Sequence, residues 1–294
     1  MVSAVRTVLG DVAPEQLGVV DAHDHLFIRS PQLPGKELDD ADDARARLDA
    51  FRELGGGTVV QWTPYGMGRR IAELPALSRA TGVGVVAATG LHQAAHYTGE
   101  LLDAVRGRLA ELFVGELTEG IGDTGVRAGL IKVAGGFHGL DEHAVLTMQA
   151  AAEAHHRTLA PIAVHLELGT GALDVLDLLC GELGVRPGSV ILGHLNRFPD
   201  FAVHRLAAEA GAWLAFDGPS RTNHGTDWRM PDALRALAEA GFADRLLLGG
   251  DTVTPDTPGM PYLLRRVRPR LELTLGEGLV DRILVANPAR AYAW

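Results

Sequence analysis

Eight short apolar segments alternate along this chain with longer segments of helical periodicity. The apolar segments are continuous instead of alternating with polar residues, which is typical of parallel strands covered on both faces. Eight strand–helix units in succession strongly restrict the folds that the chain can adopt. The predicted strands span residues 18–23, 58–63, 84–89, 128–133, 161–166, 189–194, 212–217 and 245–250.

The segments between the strands read as amphipathic helices, for example over 42–56 and 141–157, and residues 275–294 as a closing helix and tail. No linker-like segment interrupts the eight units. They therefore predict one α/β domain over residues 1–294, a (β/α)8 barrel. A doubly wound sheet is the alternative, but its glycine fingerprint should follow the first strand. The only G-x-G-x-x-G match, at 120–125, precedes a strand and is interpreted as a turn.

Composition restricts the partners and the compartment. The formal net charge of −10 argues against nucleic acid, although a local arginine cluster could still bind a small anion. The single cysteine, Cys180, lies on an apolar helical face and is interpreted as a core residue in a reducing compartment. The chain shows neither a secretory apolar region nor a run of about 18–20 apolar residues. We expect a cytoplasmic protein without a membrane partner.

Chemically active side chains recur where the predicted strands end, which is the end of such barrels that carries the active site. His23 and His25 are two residues apart after the first strand, so both imidazoles point to one face. An isolated pair at this spacing is equally compatible with two hydrogen-bonded polar side chains. The other strand ends carry Lys132, His165, His194 and Asp251.

Four histidines and an aspartate around one axis would repel or desolvate one another without a cation. Imidazole and carboxylate ligands suit zinc, with manganese, cobalt or iron as alternatives. A protonated Lys132 beside divalent cations is disfavoured, so its amine should be neutral or converted by carbon dioxide into a bridging carbamate. The alternative is a lysine whose head reaches solvent or a carboxylate. The remaining helical histidines are predicted to lie at the surface: His143, His155, His156 and His204.

With these residues the chain resembles the phosphotriesterase family of the amidohydrolase superfamily. The resemblance is carried by HDHL at 23–26, by the segments 120–134 and 164–167, and by ILGH, GGD and NPAR near 191–194, 249–251 and 287–290. It implies two divalent metal ions. His23, His25 and Asp251 would hold the first ion, His165 and His194 the second, and a carbamate on Lys132 together with a hydroxide would bridge them. A homodimer is also implied.

The resemblance further implies that the metal-bridging hydroxide attacks the substrate and that Asp251 takes its proton. Organophosphate hydrolases of this family carry an aspartate and a histidine where this chain has Arg197 and Gly218. The segments around these residues instead resemble the lactonase branches, including those that act on phosphorylated sugar lactones. We therefore expect a lactonase for a phosphorylated or otherwise anionic lactone.

Two alternatives stay open: a phosphotriesterase or aryl-ester hydrolase at the same centre, and a metal-containing binding protein without activity. The loop sequences do not choose among lactones. Candidate substrate contacts in the predicted loops are His92, Gln93, His96, Tyr97, Arg197, Arg221 and Arg229. The arginines are equally compatible with exposed ion pairs to Asp200 or Asp227. Trp228 and Met260 could line the pocket or pack the loops.

Overall fold

A short antiparallel hairpin opens the chain, and eight parallel strands follow it in one sheet. The computed structural model describes residues 3–220 and 223–294. The hairpin strands are β1 (Val5–Thr7) and β2 (Gly10–Val12). The parallel strands are β3 (Val19–Asp24), β4 (Gly56–Gln61), β5 (Gly84–Gly90), β6 (Leu130–Ala134), β7 (Ile162–His165), β8 (Val190–Leu192), β9 (Trp213–Asp217) and β10 (Leu246–Gly249).

The strands are hydrogen-bonded in sequence order from β3 to β10. The first and last strands meet as well, because the Asp251 amide donates to the His23 carbonyl at 2.9 Å. The eight-stranded sheet thus nearly closes on itself and forms the predicted (β/α)8 barrel. Each parallel strand lies within two residues of its prediction at either end. The glycine-rich segment 120–125 is a turn, with a 3-10 helix at Gly122–Thr124.

Helices surround the sheet and bury their apolar sides against it. Aspartate side chains cap several of them: Asp40 accepts from the Asp42 and Asp43 amides, and Asp141 from the Ala144 amide. Short π-helical turns extend three of the helices, over Asp177–Glu182, Leu263–Val267 and Arg282–Ala286. The α-helices are α1 (Ala41–Glu53), α2 (Leu74–Thr81), α3 (Gly99–Val105), α4 (Leu109–Thr118), α5 (Glu142–Thr158), α6 (Ala172–Leu176), α7 (Phe201–Ala210), α8 (His224–Asp227), α9 (Met230–Glu239), α10 (Gly259–Tyr262), α11 (Arg268–Leu275), α12 (Glu277–Asp281) and α13 (Asn287–Ala291).

Two apolar regions form the core, one between the sheet and the helices and one inside the barrel. Inside the barrel, Trp62 lies at the level where apolar packing gives way to polar side chains. Its ring stacks on His23 with centroids 3.8 Å apart, and its Nε1 donates to the Ala22 carbonyl. The apolar core inside the barrel therefore supports His23 from the N-terminal side of the sheet. Across the described ranges, no helix is both long and apolar enough to cross a bilayer.

Two of the predicted surface histidines are in fact buried. His155 on α5 places Nδ1 2.8 Å from the Ala160 carbonyl, and His204 on α7 places Nε2 3.0 Å from the Phe198 carbonyl. Each imidazole satisfies a carbonyl of the turn beside its own helix, a contact that helical periodicity does not show. His156 is exposed as predicted, whereas His143 is only half-buried.

Candidate metal centre

The six predicted ligands meet at the C-terminal end of the barrel. Lys132 and His165 lie on β6 and β7, and His194 and Asp251 follow β8 and β10 by two residues. His165 is half-buried and the other five side chains are buried, with Lys132 only 1% exposed.

His23, His25 and Asp251 form one compact group. The Nε2 atoms of His23 and His25 lie 3.5 and 3.6 Å from Asp251 Oδ1. Two ligand atoms bonded at about 2.1 Å to one tetrahedral ion are about 3.4 Å apart. These separations fit the donor set of a single metal ion, which is the arrangement that the resemblance implies for the first ion.

The second nitrogen of each of these imidazoles is held by a neighbour. His23 Nδ1 lies 2.7 Å from Asp217 Oδ2, and His25 Nδ1 lies 2.7 Å from Thr63 Oγ1. The Thr63 hydroxyl donates to the Phe27 carbonyl, so its oxygen accepts from His25 Nδ1. Such contacts fix the tautomer with the proton on Nδ1 and leave the lone pair of each Nε2 atom available for a metal ion.

His165 and His194 form the other group. His165 Nδ1 and His194 Nε2 face each other at 2.8 Å, so both nitrogens point to one location. His165 Nε2 lies 3.1 Å from Glu167 Oε2, which also accepts from the Gln93 amide at 3.0 Å. His194 Nδ1 lies 2.5 Å from Asp217 Oδ1. Both rings therefore have one nitrogen oriented by a carboxylate and the other available for a metal ion.

Asp217 lies between the two histidine groups. It is not among the site residues predicted from the sequence. His23, His194 and Asp217 could also be read as a metal site. Asp217 faces Nδ1 of both rings, at 2.7 Å for His23 and 2.5 Å for His194. The Nε2 atoms of the same rings face Asp251 and His165 instead. Asp217 is therefore assigned as the carboxylate that orients both histidines. As the last residue of β9, it could have been found by the same strand-end rule that selected the ligands.

The buried site favours the neutral forms that metal ligands need. Burial lowers the pKa of His23 to about 4 and that of His165 to about 3. Burial likewise lowers the pKa of Lys132 to about 7, which the charge of Asp251 offsets only in part. His194 differs. Burial lowers its pKa, but the negative charges of Asp217 and Asp251 outweigh this effect and raise the pKa above its ordinary value. Burial opposes ionisation of Asp217, but the His194 and His23 rings hold its pKa below the usual range.

Arg197 and Gly218 are in direct contact at the edge of this site. Arg197 Nη2 donates to the Gly218 carbonyl at 3.2 Å and to Asp251 Oδ2 at 3.3 Å. Gly218 has a φ of +60°, and a Cβ there would lie 2.3 Å from Arg197 Nη2 and 2.7 Å from Asp251 Oδ2. Glycine at 218 therefore provides the space that the Arg197 guanidinium occupies.

The remaining loop candidates differ in their distance from the ligands. The His92 ring lies 4.5 Å from the His165 ring, whereas Tyr97 is buried and accepts from the His92 amide. Arg229 stacks over the Phe201 and Trp228 rings. Arg221 lies outside the described residues.

The other residues that the sequence suggested for these loops are described by their contacts or their exposure. Gln93 donates to Glu167, and His96 contacts Ser30. Met260 is fully buried and Trp228 is exposed. Among the proposed arginine partners, Asp200 caps α7, whereas Asp227 accepts from the Asn196 amide and lies 3.9 Å from Arg197 Nε.

Together these features define a (β/α)8 barrel with a candidate metal centre at the C-terminal ends of its strands. The chain belongs to the phosphotriesterase family, whose model matches residues 3–292. A phospho-furanose lactonase of Mycoplasmopsis synoviae is 30% identical over 98% of this chain and 91% of its own.

Two solved structures show the same likeness. A lactonase from Listeria monocytogenes has a TM-score of 0.91 at 29% identity, covering 98% of each chain. A mutant organophosphorus hydrolase from Deinococcus radiodurans has a TM-score of 0.88 at 30% identity, covering 98% of this chain and 97% of its own.

Proposed function

We propose that this chain is a metal-dependent hydrolase that opens lactones. The observation that carries the proposal is the presence of two histidine pairs close to Asp251 and Lys132. In all four imidazole rings one nitrogen is held by a neighbouring side chain. The similarity to two lactonases and the family membership support the reaction class. We further propose that residues 1–294 act as one domain in a cytoplasmic homodimer.

The proposed ligands are His23, His25 and Asp251 for one divalent ion and His165 and His194 for the other. When bound, the two ions lower the pKa of water and stabilise negative charge on the scissile carbonyl oxygen. Zinc is proposed first, because imidazole and carboxylate donors suit it, with manganese, cobalt and iron as alternatives.

Lys132 is proposed to bridge the two ligand groups as a carbamate. It is buried and close enough to Asp251 of one group and His165 of the other for their charges to interact, and burial favours its neutral amine. The amine lone pair adds to the carbon of carbon dioxide, and the amine then releases a proton. The product is an anion with two oxygens, whereas an ammonium at this position would oppose the charge of both ions.

Asp251 is proposed as the proton-transfer residue. Its Oδ1 faces the two histidines, and its Oδ2 contacts Arg197. As the oxygen–carbonyl bond forms, Asp251 takes the proton of the attacking water. It passes this proton to the ring oxygen of the lactone as the ester bond to that oxygen breaks. The ring oxygen stays tethered to the product.

The contact between Arg197 and Gly218 supports a lactone over an organophosphate. By the resemblance, Arg197 and Gly218 stand at the two sequence positions where organophosphate hydrolases of this family carry their proton-shuttle residues. Together with Arg221 and Arg229, Arg197 also offers a fork-shaped donor for a phosphate or carboxylate group on the substrate. His92 and Tyr97, in the loop after β5, remain proposed contacts of the substrate.

Phosphotriester or aryl-ester hydrolysis is the second candidate, supported by the likeness to an organophosphorus hydrolase. A binding protein without activity is the least supported reading, since the complete ligand set is present. The experiment that separates these functions is a hydrolysis screen of metal-loaded protein with acyl-homoserine, γ-, δ- and sugar lactones and with paraoxon-like esters. The sugar lactones are offered with and without phosphate.

We expect kcat/KM for the best lactone to exceed that for paraoxon by about two decades, or roughly 2.7 kcal/mol in transition-state binding. If the lactone is phosphorylated, Arg221→Met or Arg229→Met should raise KM mainly for the phosphorylated form. Equal efficiency on both substrate classes, or no lactone opened at all, would favour the ester and phosphotriester alternative.

A further inference from the structure

We propose that Asp21 and Asp24 are positioning residues, which hold the first group of metal ligands in register by linking β3 to the segment after β10. Neither residue belongs to the proposed ligand set. Both are completely buried on the strand that carries His23. This inference rests on the metal site proposed above and concerns how that site is held.

The link is needed because the barrel closes irregularly between these two strands. Within residues 3–220 and 223–294 the ladder pairings run from β3 through to β10, with none between β10 and β3. The bond from the Asp251 amide to the His23 carbonyl is the main-chain contact at this seam. A single bond leaves Asp251 free to shift relative to the histidines, so other contacts must fix the register.

The two aspartates supply those contacts. Asp21 Oδ1 accepts from the His23 amide at 3.2 Å and from the Gly250 amide at 3.0 Å. Asp24 Oδ1 accepts from the His25 amide at 2.6 Å and from the Thr252 amide at 2.8 Å. Each carboxylate therefore binds the main chain of one ligand histidine and of one residue adjacent to Asp251.

As a result, three successive amides around Asp251 are all held by β3. The Gly250 amide is bound by the Asp21 side chain, the Asp251 amide by the His23 carbonyl, and the Thr252 amide by the Asp24 side chain. The register between the histidine pair and Asp251 is thus determined on both sides of the ligand.

The local backbone explains why strong acceptors are required. Asp251 has a φ of +46°, a left-handed conformation that is uncommon for a non-glycine residue. Glycines at 249 and 250 allow the close approach: a Cβ would lie 2.7 Å from the His23 carbonyl oxygen at 249 and 2.4 Å from Asp24 Oδ2 at 250. The aspartates hold this strained turn against β3.

The test compares Asp24→Ala, Asp24→Asn and the control Asn287→Ala. An asparagine carbonyl has two lone pairs and can accept from both the His25 and Thr252 amides, whereas alanine accepts from neither. Asn287 donates to the Leu246 carbonyl at 2.8 Å at the opposite end of β10, so its loss affects the same strand away from the ligands. Zinc affinity is measured by chelator competition, together with the metal-free Tm, kcat and KM.

We expect Asp24→Ala to weaken the tighter zinc equivalent by about 10–100-fold, the usual effect of losing a residue that orients ligands. Its kcat should fall while KM changes little. Asp24→Asn should stay within a few-fold of wild type. Asn287→Ala should lower Tm but keep the zinc affinity. If Asp24→Ala does not fold, Asp24→Ser replaces it, because its shorter hydroxyl does not reach both amides; its zinc affinity should then fall below that of Asp24→Asn.

A folded Asp24→Ala, or the substituted Asp24→Ser, with wild-type zinc affinity and kcat would overturn the inference. So would an Asn287→Ala variant that loses as much zinc affinity for the same fall in Tm, because the effect would then be general stability. Wild-type protein that binds no metal would instead overturn the proposed function, so the two failures are distinguishable.

Discussion

The two ends of the barrel interior are built from the same strands but have opposite chemistry. Toward the N-terminal ends the inward side chains are buried and apolar, such as Val20, Val60 and Leu247. Toward the C-terminal ends they are imidazole and carboxylate groups in contact with one another, together with the buried Lys132 amine. Because Trp62 separates the two regions by stacking on His23, stability and chemistry should respond to different substitutions.

The largest effect on turnover is expected for Lys132→Met. Loss of the proposed bridging anion should remove metal and activity together, by about 10³-fold or more, since metal ions contribute several kcal/mol to the transition state. Lys36→Met is the matched control, because Lys36 is the other lysine of the sequence and is exposed. Metal analysis and kcat are measured for both. Full activity in Lys132→Met would show that the bridge is something else.

Asp251→Asn should lower kcat by about 10²–10⁴, the scale of a lost general base. Its metal affinity should fall less than that of His23→Ala, because an amide oxygen still coordinates. Asp256→Asn, an exposed position in the same loop, is the control. Wild-type turnover in Asp251→Asn would remove the proton-transfer role.

Asp217→Asn tests whether the Asp217 carboxylate orients the ligands His23 and His194. An amide offers one acceptor where the carboxylate faces both His23 Nδ1 and His194 Nδ1. We expect a loss of about 10–100-fold in metal affinity or kcat/KM. An unchanged metal affinity would mean that Asp217 holds the backbone only, through the His194 amide.

Leu247→Ala should have the smallest effect on turnover. Leu247 is fully buried on β10, four residues before Asp251. Its truncation should lower the free energy of unfolding by about 2–5 kcal/mol, measured by denaturant titration, and leave kcat of the folded protein unchanged. A fall in kcat comparable to that of Asp217→Asn would show that the two ends are coupled.

The same contrast explains what the sequence could predict. Continuous apolar strands and their terminal residues locate the barrel and bring His23, His25 and Asp251 together. Asp21 and Asp24 were not selected, because their roles depend on contacts with amides far away in the sequence. Glu167 was not selected, because its position beside the His165 ring depends on the conformation of the chain after β7. Asp24 reaches Thr252 across 228 positions of chain. His155 and His204 were misplaced for a related reason: each is buried by a turn beside its helix, which periodicity does not encode.

We propose that the polar end of the barrel holds two metal ions. The decisive measurement is metal analysis of protein purified without chelator, and again after loading with zinc or manganese and removal of excess metal. We expect close to two equivalents per chain, falling to about one or fewer in His165→Ala. Folded wild-type protein that stays near zero after loading would rule out the metal centre.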